Sequence, residues 1–156
     1  MTEEILLKYK PQKNNLLQIL HEIQTEQPHQ YLPETELRKV SKYLNISMSS
    51  VYGVVSYYTM FSIKPRGKFI VRLCQSPVCD MLGSQLIANK LKELLQIDFN
   101  ETTSDGLFTL EFSECLGLCA NKPSMMINKQ AYTGLNVDVI ELIINDLRNE
   151  SKNSDN

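Results

Sequence analysis

The stretch KFIVRLCQSPVCDMLGS, residues 68–84, sets Phe69, Val71 and Leu73 against Ile70 and Arg72 and then runs directly into Cys74 and Cys79. Alternation over so short a run predicts a strand, and this strand delivers a cysteine loop. The pattern recurs downstream. In LFTLEFSECLGLCANKPSMMIN, residues 107–128, Phe108, Leu110 and Phe112 alternate with polar residues ahead of Cys115 and Cys119. These two loops hold all four cysteines of the chain, spaced C-x4-C and C-x3-C. Strand ends are rigid mounts for loops, and loops mounted this way let several thiols converge.

Around these strands the other elements fall into place. MLGSQLIANKLKELL, residues 81–95, predicts a helix with Leu82, Leu86, Ile87, Leu91, Leu94 and Leu95 inward. SDG at 104–106 reads as a turn, and SMMIN at 124–128 forms a hairpin with Ala131–Tyr132, turning at or near the KQ of 129–130. NVDVIELIINDLRN, residues 136–149, is a final helix, and the polar ESKNSDN, residues 150–156, is a flexible tail. Strand, helix, strand, strand, helix on a mixed sheet is the order of an α/β domain.

The N-terminal half has a helical rhythm instead. Between Lys13 and Gln27, Leu16, Leu17, Leu20 and Ile23 recur at helical spacing and stop before Pro28. A second helix starts near Pro33 and carries Leu37, Val40, Tyr43 and Leu44. In LNIS, residues 44–47, Asn45 ends that helix and Ser47 caps a third, which carries Val51, Val54, Val55, Tyr58 and Phe61. Pro65 and Gly67 in KPRGK break the pattern and mark a linker. The fold class is therefore α+β: a helical bundle over residues 1–66, an α/β domain over 67–149 and the tail over 150–156.

Composition excludes several functions. The chain has 156 residues, 42% hydrophobic and 22% charged, which is the make-up of a soluble globular protein. A net charge of −2 argues against binding nucleic acid by phosphate neutralisation. The N-terminus lacks the basic and apolar regions of a secretory signal. The longest apolar run, VYGVVSYYTMF at 51–61, is too short and tyrosine-rich to span a bilayer. A cytoplasmic location follows by default, where thiols stay reduced and clustered cysteines are ligands or redox groups more often than disulfides. Thiol–disulfide exchange expects C-x-x-C, which the chain lacks. The segment LRKVSKYLNISMSSVYGVVSYY has the outline of a helix-turn-helix, but its second helix carries no Lys or Arg, so a packed helical hairpin is the better reading. His21 and His29 stand apart from the cysteines, and no nucleotide-binding glycine motif occurs. No nucleophile–base pair is legible, so the chain is read as non-catalytic by itself.

Four thiolates suit zinc or an iron–sulfur cluster equally by count. Structural zinc favours C-x2-C knuckles, and both gaps here are longer, although zinc also accepts C-x4-C. Gly117 lies inside the second loop and can take a positive φ, which turns backbone N–H groups towards an anion. Arg72 and Lys122 are nearby cations, and Ser76, Ser113 and Ser124 are candidate donors.

The run CQSPVCDMLGS, followed by TTSDGLFTLEFSECLGLCANKPSMMIN, resembles the iron–sulfur subunit of NADH dehydrogenases, the E subunit of bacterial complex I. That family includes the small subunits of NAD-linked formate dehydrogenases and of NADP-reducing or bifurcating iron hydrogenases. The upstream segment from Leu32 to Cys74 resembles the family's helical half, so the likeness runs from about Leu16 to Leu147. The resemblance implies a thioredoxin-like domain holding one 2Fe–2S cluster per chain, with Cys74 and Cys79 on one iron and Cys115 and Cys119 on the other. It implies an electron-transfer subunit of a multisubunit NAD(P)H-dependent oxidoreductase. The expected partners are an FMN- and NAD-binding flavoprotein subunit and further iron–sulfur subunits, with no nucleic acid and no membrane span; the complex would be cytoplasmic or peripheral to a membrane. The alternatives are a stand-alone thioredoxin-like 2Fe–2S ferredoxin and a zinc-stabilised interaction module. The helical extension favours the subunit, because the aromatic VSYYTMF at 55–61 suits a permanent interface. Tyr52, Tyr57 and Tyr58, crowded on one short helix, cannot all face one small core.

Overall fold

The computed structural model describes residues 2–154. Among these the chain divides into two compact units, with the division between Arg66 and Gly67.

The first unit is helical: α1 (Thr2–Leu7), α2 (Leu16–Glu26), α3 (Glu34–Leu44) and α4 (Met48–Tyr57), with short 3-10 turns at Lys13–Asn15 and Pro28–Gln30. Its core joins Ile5 and Leu6 to Leu16, Ile19, Leu20 and Ile23 of α2, Leu37, Val40 and Leu44 of α3, and Val51 and Val55 of α4. Helix α1 has no counterpart in the sequence reading. Six residues with two buried apolar positions show no period, and packing rather than propensity stabilises so short a helix. The stripe of α2 also differs from the expected one. Leu17 is exposed and Ile19 is buried in its place, because a residue one step from Leu16 is turned about 100° away from the buried face. Asn45, at φ 52, ends α3 in the left-handed conformation, and Ser47 Oγ accepts from the Ser50 N–H at 3.2 Å to cap α4. After α4 the chain is held by a buried glutamine. Gln24 Nε2 donates to the Met60 carbonyl at 2.9 Å, and its Oε1 accepts from the Ser62 N–H at 2.8 Å. Of the crowded tyrosines, Tyr57 is exposed, while Tyr58 packs edge-on against Phe61 with centroids 6.3 Å apart.

The second unit is a five-stranded sheet covered by helices. Its elements are β1 (Phe69–Cys74), α5 (Pro77–Met81), α6 (Ser84–Leu95), β2 (Glu101–Thr102), β3 (Phe108–Ser113), β4 (Ser124–Ile127), β5 (Gln130–Thr133) and α7 (Val137–Ser154). The strand order is β2-β3-β1-β4-β5, with β1 parallel to β3 and every other pair antiparallel. Strand β1 is therefore central. Phe69, Ile70, Val71, Leu73 and Cys74 are all buried, so both of its faces are covered. The core places Val71, Leu73, Phe108, Leu110 and Met125 of the sheet against Ile87, Leu91 and Leu95 of α6 and Ile140 and Ile144 of α7.

The second unit also departs from expectation. The helix expected over 81–95 is two helices. Pro77 starts α5 early, and Gly83, at φ 97, breaks the path before α6. As a consequence Leu82 and Leu86 are exposed, and the buried stripe is Ile87, Ala88, Leu91 and Leu95. The flexible tail expected over 150–156 is helical as far as Ser154. Glu, Lys and Ser extend a helix that the buried stripe has already nucleated, and no Gly or Pro intervenes. Asp155 and Asn156 lie outside the described residues. Strand β2, only two residues long, carries no alternation from which to be read.

Candidate metal centre

The parallel pairing of β1 and β3 places the cysteines. Its register sets Cys74 opposite Ser113, so both strands end at one edge of the sheet and their loops leave side by side. Two contacts beyond the strands tie the loops together. The Gln75 N–H donates to the Ser113 carbonyl at 3.0 Å, and Gln75 Nε2 donates to Glu114 at 3.2 Å. Antiparallel β4 brings Ser124 to the same edge, since Leu73 pairs with Met125.

All four cysteines are unbridged thiols, with Cys74 and Cys79 buried and Cys115 and Cys119 exposed. Cys115 and Cys119 stand 3.9 Å apart, sulfur to sulfur. Cys79, on α5, lies 3.8 Å from Ser124 Oγ. Burial pushes the Cys74 thiol up. The backbone N–H groups of Ser76 and Leu116, with the Ser76 hydroxyl and the Cys79 thiol, outweigh it and hold the pKa below the ordinary thiol value. Cys119 is pushed up, chiefly by the hydrogen bond and charge of Cys115, against the pull of Lys122. The sulfurs are gathered as two pairs, one buried and one at the surface. Among the described residues no three His, Cys, Asp or Glu side chains stand close enough to hold a single ion between them.

The donor set suits an anionic iron–sulfur group. N–H groups from both loops point at the Cys74 sulfur, and Gly117 between the outer thiols adopts φ 73, a backbone that any other residue would strain. Ser76 Oγ is buried against Cys74 without a hydrogen-bond partner of normal geometry among the described residues. A buried hydroxyl beside the Cys74 thiol is a donor available to a sulfur-rich group. Of the two cations proposed from sequence, Lys122 acts on Cys119, whereas Arg72 Nε is committed to Glu111 at 3.1 Å. Of the serines, Ser76 and Ser124 reach the thiols, and Ser113 contributes its carbonyl to the joint between the loops. Two contributors escaped the sequence reading. Leu116 acts through its backbone, to which side-chain type is no guide, and Ser84 Oγ donates to the Cys74 carbonyl at 2.9 Å. Neither histidine lies among these contacts.

The thioredoxin-like 2Fe-2S ferredoxin family matches residues 2–148, and the chain belongs to that family. Its cofactor is a 2Fe–2S cluster, and its fold is the thioredoxin-like α+β architecture found here. More particularly, the chain is 35% identical over 151 residues to the NADH-quinone oxidoreductase E subunit of Rickettsia bellii, covering 96% of this chain and 90% of that protein. It is 32% identical over 149 residues to the corresponding E subunit of Mycobacterium tuberculosis, covering 96% of this chain and 58% of the relative. The chain thus spans little more than half the length of the mycobacterial relatives. It is also 32% identical over 135 residues to the NADP-reducing hydrogenase subunit HndA of Solidesulfovibrio fructosivorans, covering 86% and 78% of the two chains. Among solved structures, an air-oxidised NAD+-reducing NiFe-hydrogenase superposes with a TM-score of 0.73 at 19% identity, over 87% of this chain and 23% of that one. This last likeness concerns the fold.

Proposed function

We propose that this chain is an electron-transfer subunit of a multisubunit NAD(P)H-dependent oxidoreductase and carries one 2Fe–2S cluster on Cys74, Cys79, Cys115 and Cys119. The observation that carries the reading is the parallel register of β1 and β3, which brings two cysteine pairs to one sheet edge. When bound, the cluster supplies a one-electron redox centre. The protein's part is to hold and tune it. Cys74 and Cys79 anchor one side in the core, the Ser76 and Leu116 N–H groups direct partial positive charge at the sulfurs, and Lys122 offsets negative charge on the outer side. The exposed Cys115–Cys119 pair would hold the outer side of the group, the side open to an electron-exchanging partner.

Relatives named as subunits support a place in a complex. The partner we propose is an FMN- and NAD-binding flavoprotein subunit, with further iron–sulfur subunits beyond it. The helical unit over residues 1–66 serves for docking, with the exposed Tyr57, Met60 and Ile63 near its C-terminal end as contact residues. No described helix is long and apolar enough to cross a membrane, and we place the complex in the cytoplasm or peripheral to a membrane. Iron and acid-labile sulfide analysis of anaerobically purified protein tests the reading: about two of each per chain are expected. One zinc per chain without labile sulfide would refute it in favour of a zinc-stabilised module.

A further inference from the structure

The polar side chains next to Cys74 in the chain or the fold already have partners. Gln75 Nε2 donates to Glu114 at 3.2 Å, Arg72 Nε to Glu111 at 3.1 Å, and Ser84 Oγ to the Cys74 carbonyl at 2.9 Å. Ser124 Oγ lies 3.8 Å from the other buried thiol, Cys79. Ser76 differs. It stands ahead of α5 at φ −63 and ψ 149, where a serine ordinarily uses its oxygen to accept from a helix N–H, yet its side chain makes no such bond. Its hydroxyl is buried and has no hydrogen-bond partner of normal geometry among the described residues. The group on which it acts as a donor is the Cys74 sulfur.

A buried hydroxyl without a partner is costly, and a neutral thiol is a weak acceptor for it. Sulfur that carries negative charge is a better one, because hydrogen bonds to ionised acceptors are roughly twice as strong as neutral ones. The difference is largest where water is excluded, and Cys74 is 1% exposed. The exposed Cys115 and Cys119 are open to water, which itself donates. The backbone N–H groups of Ser76 and Leu116 also serve Cys74, but they are present whatever the side chains. The Ser76 hydroxyl is thus a donor at this thiol that a single side-chain change removes.

We infer that the Ser76 hydroxyl sets the reduction potential of the group held on Cys74, through a hydrogen bond to sulfur that strengthens as negative charge is added and so favours the reduced form. The inference rests on the 2Fe–2S reading above and adds the residue that tunes the centre. The hydroxyl keeps its proton throughout, so its effect is the same across neutral pH.

The test is a redox titration of the full-length, cluster-loaded chain with dithionite, followed by EPR. In Ser76→Ala the ratio of reduced to oxidised centre at a fixed potential should fall about tenfold, which is about 59 mV for one electron. Ser76→Thr keeps the hydroxyl and should stay within about twofold of the parent ratio. Resonance Raman in D2O supplies a readout that a purely structural serine would not move. Deuterium on the hydroxyl shifts the iron–sulfur stretching frequencies, and this shift should shrink in Ser76→Ala and persist in Ser76→Thr. A Ser76→Ala ratio within about twofold of the parent would overturn the proposal. So would an undiminished deuterium shift, a Ser76→Thr ratio as low as that of Ser76→Ala, or a fall that changes across neutral pH. If Ser76→Ala holds no cluster, Ser76→Gly is titrated in its place; if neither holds one, the serine is an assembly requirement and the tuning role is overturned. A parent chain without iron and labile sulfide sinks the cluster reading itself, whereas a loaded parent with an unshifted Ser76→Ala removes only the role of Ser76.

Discussion

Replacing Gly67 with alanine should destabilise the cluster-bearing unit severely. A Cβ built at Gly67 lies 2.8 Å from the carbonyl carbon and oxygen of Leu107 and 2.8 Å from the Phe108 nitrogen. These are backbone atoms at the entry to β3, and they cannot swing aside as a side-chain tip can. They are also fixed from several directions. The Lys68 N–H donates to the Gly106 carbonyl at 3.1 Å, the Phe69 N–H to the Leu107 carbonyl at 2.8 Å, and the Gly67 N–H to Thr109 Oγ1 at 2.6 Å. Relieving the clash means moving the first residues of β1 away from β3 and loosening that last, buried hydrogen bond. Overpacking costs about 1–3 kcal/mol, and a buried donor left unmade costs about 1–3 kcal/mol. The two overlap, so the expected loss is about 2–4 kcal/mol, a large share of the roughly 5–15 kcal/mol that stabilises a domain. For a unit of this size the thermal midpoint should fall by roughly 10–30 °C. Thermal unfolding followed by far-ultraviolet circular dichroism measures it. Gly53→Ala is the matched control, because nothing lies within 4 Å of its Cβ and it sits inside α4. It should be neutral or stabilising by up to about 1 kcal/mol. If Gly67→Ala melts within a few degrees of the parent, the close approach of the β1 entry to β3 is not the constraint described here.

Replacing any one of Cys74, Cys79, Cys115 or Cys119 with alanine should bleach or destabilise the cluster, read from the visible spectrum. The exposed Cys115 and Cys119 variants should keep their unfolding midpoint without cluster, whereas Cys79→Ala, fully buried, should also lose about 1 kcal/mol of fold stability. His21→Gln and His29→Gln should leave the spectrum intact; a bleached histidine variant beside an intact cysteine variant would overturn the ligand set. Redox titration followed by EPR should give a potential in the region of about −400 mV, as all-cysteine ligation favours, and a value above zero would contradict it. Glu36 should make the helical unit acid-sensitive. Burial raises its pKa, but hydrogen bonds from Thr2 and Lys39 outweigh that and hold it below the ordinary 4.5. The stability it contributes is present above that value and lost as pH falls through the lower, folded-state pKa. Urea denaturation of Glu36→Gln should show a flatter dependence between neutral and acid pH, and an unchanged slope would exclude this carboxylate as the cause.

The sequence by itself determined the helical character of the N-terminal half, the break near Gly67, the strands leading into the two cysteine loops, and the cysteines as the residues to examine. Each of these rests on short-range pattern. Apolar residues at helical or alternating spacing report which side of an element is buried, and Asn45 and Ser47 carry their turn and cap chemistry in their own side chains. Local pattern was silent or misleading where burial is conferred from a distance. Leu82 and Leu86 fit a helical stripe as well as Ile87 does, and only the left-handed Gly83 and the direction of α6 turn them to solvent. Helix α1 and strand β2 exist because other elements cover or pair with them. The difference between a buried Cys79 and an exposed Cys115 is likewise absent from C-x4-C and C-x3-C spacing. The placement of the loops decides it: α5 turns Cys79 inward to within 3.8 Å of Ser124 Oγ, while the 115–119 loop leaves β3 at the surface. The paired arrangement of the thiols, and the Leu116 N–H that joins one loop to the other, arise from strands about forty residues apart in sequence lying parallel and in register.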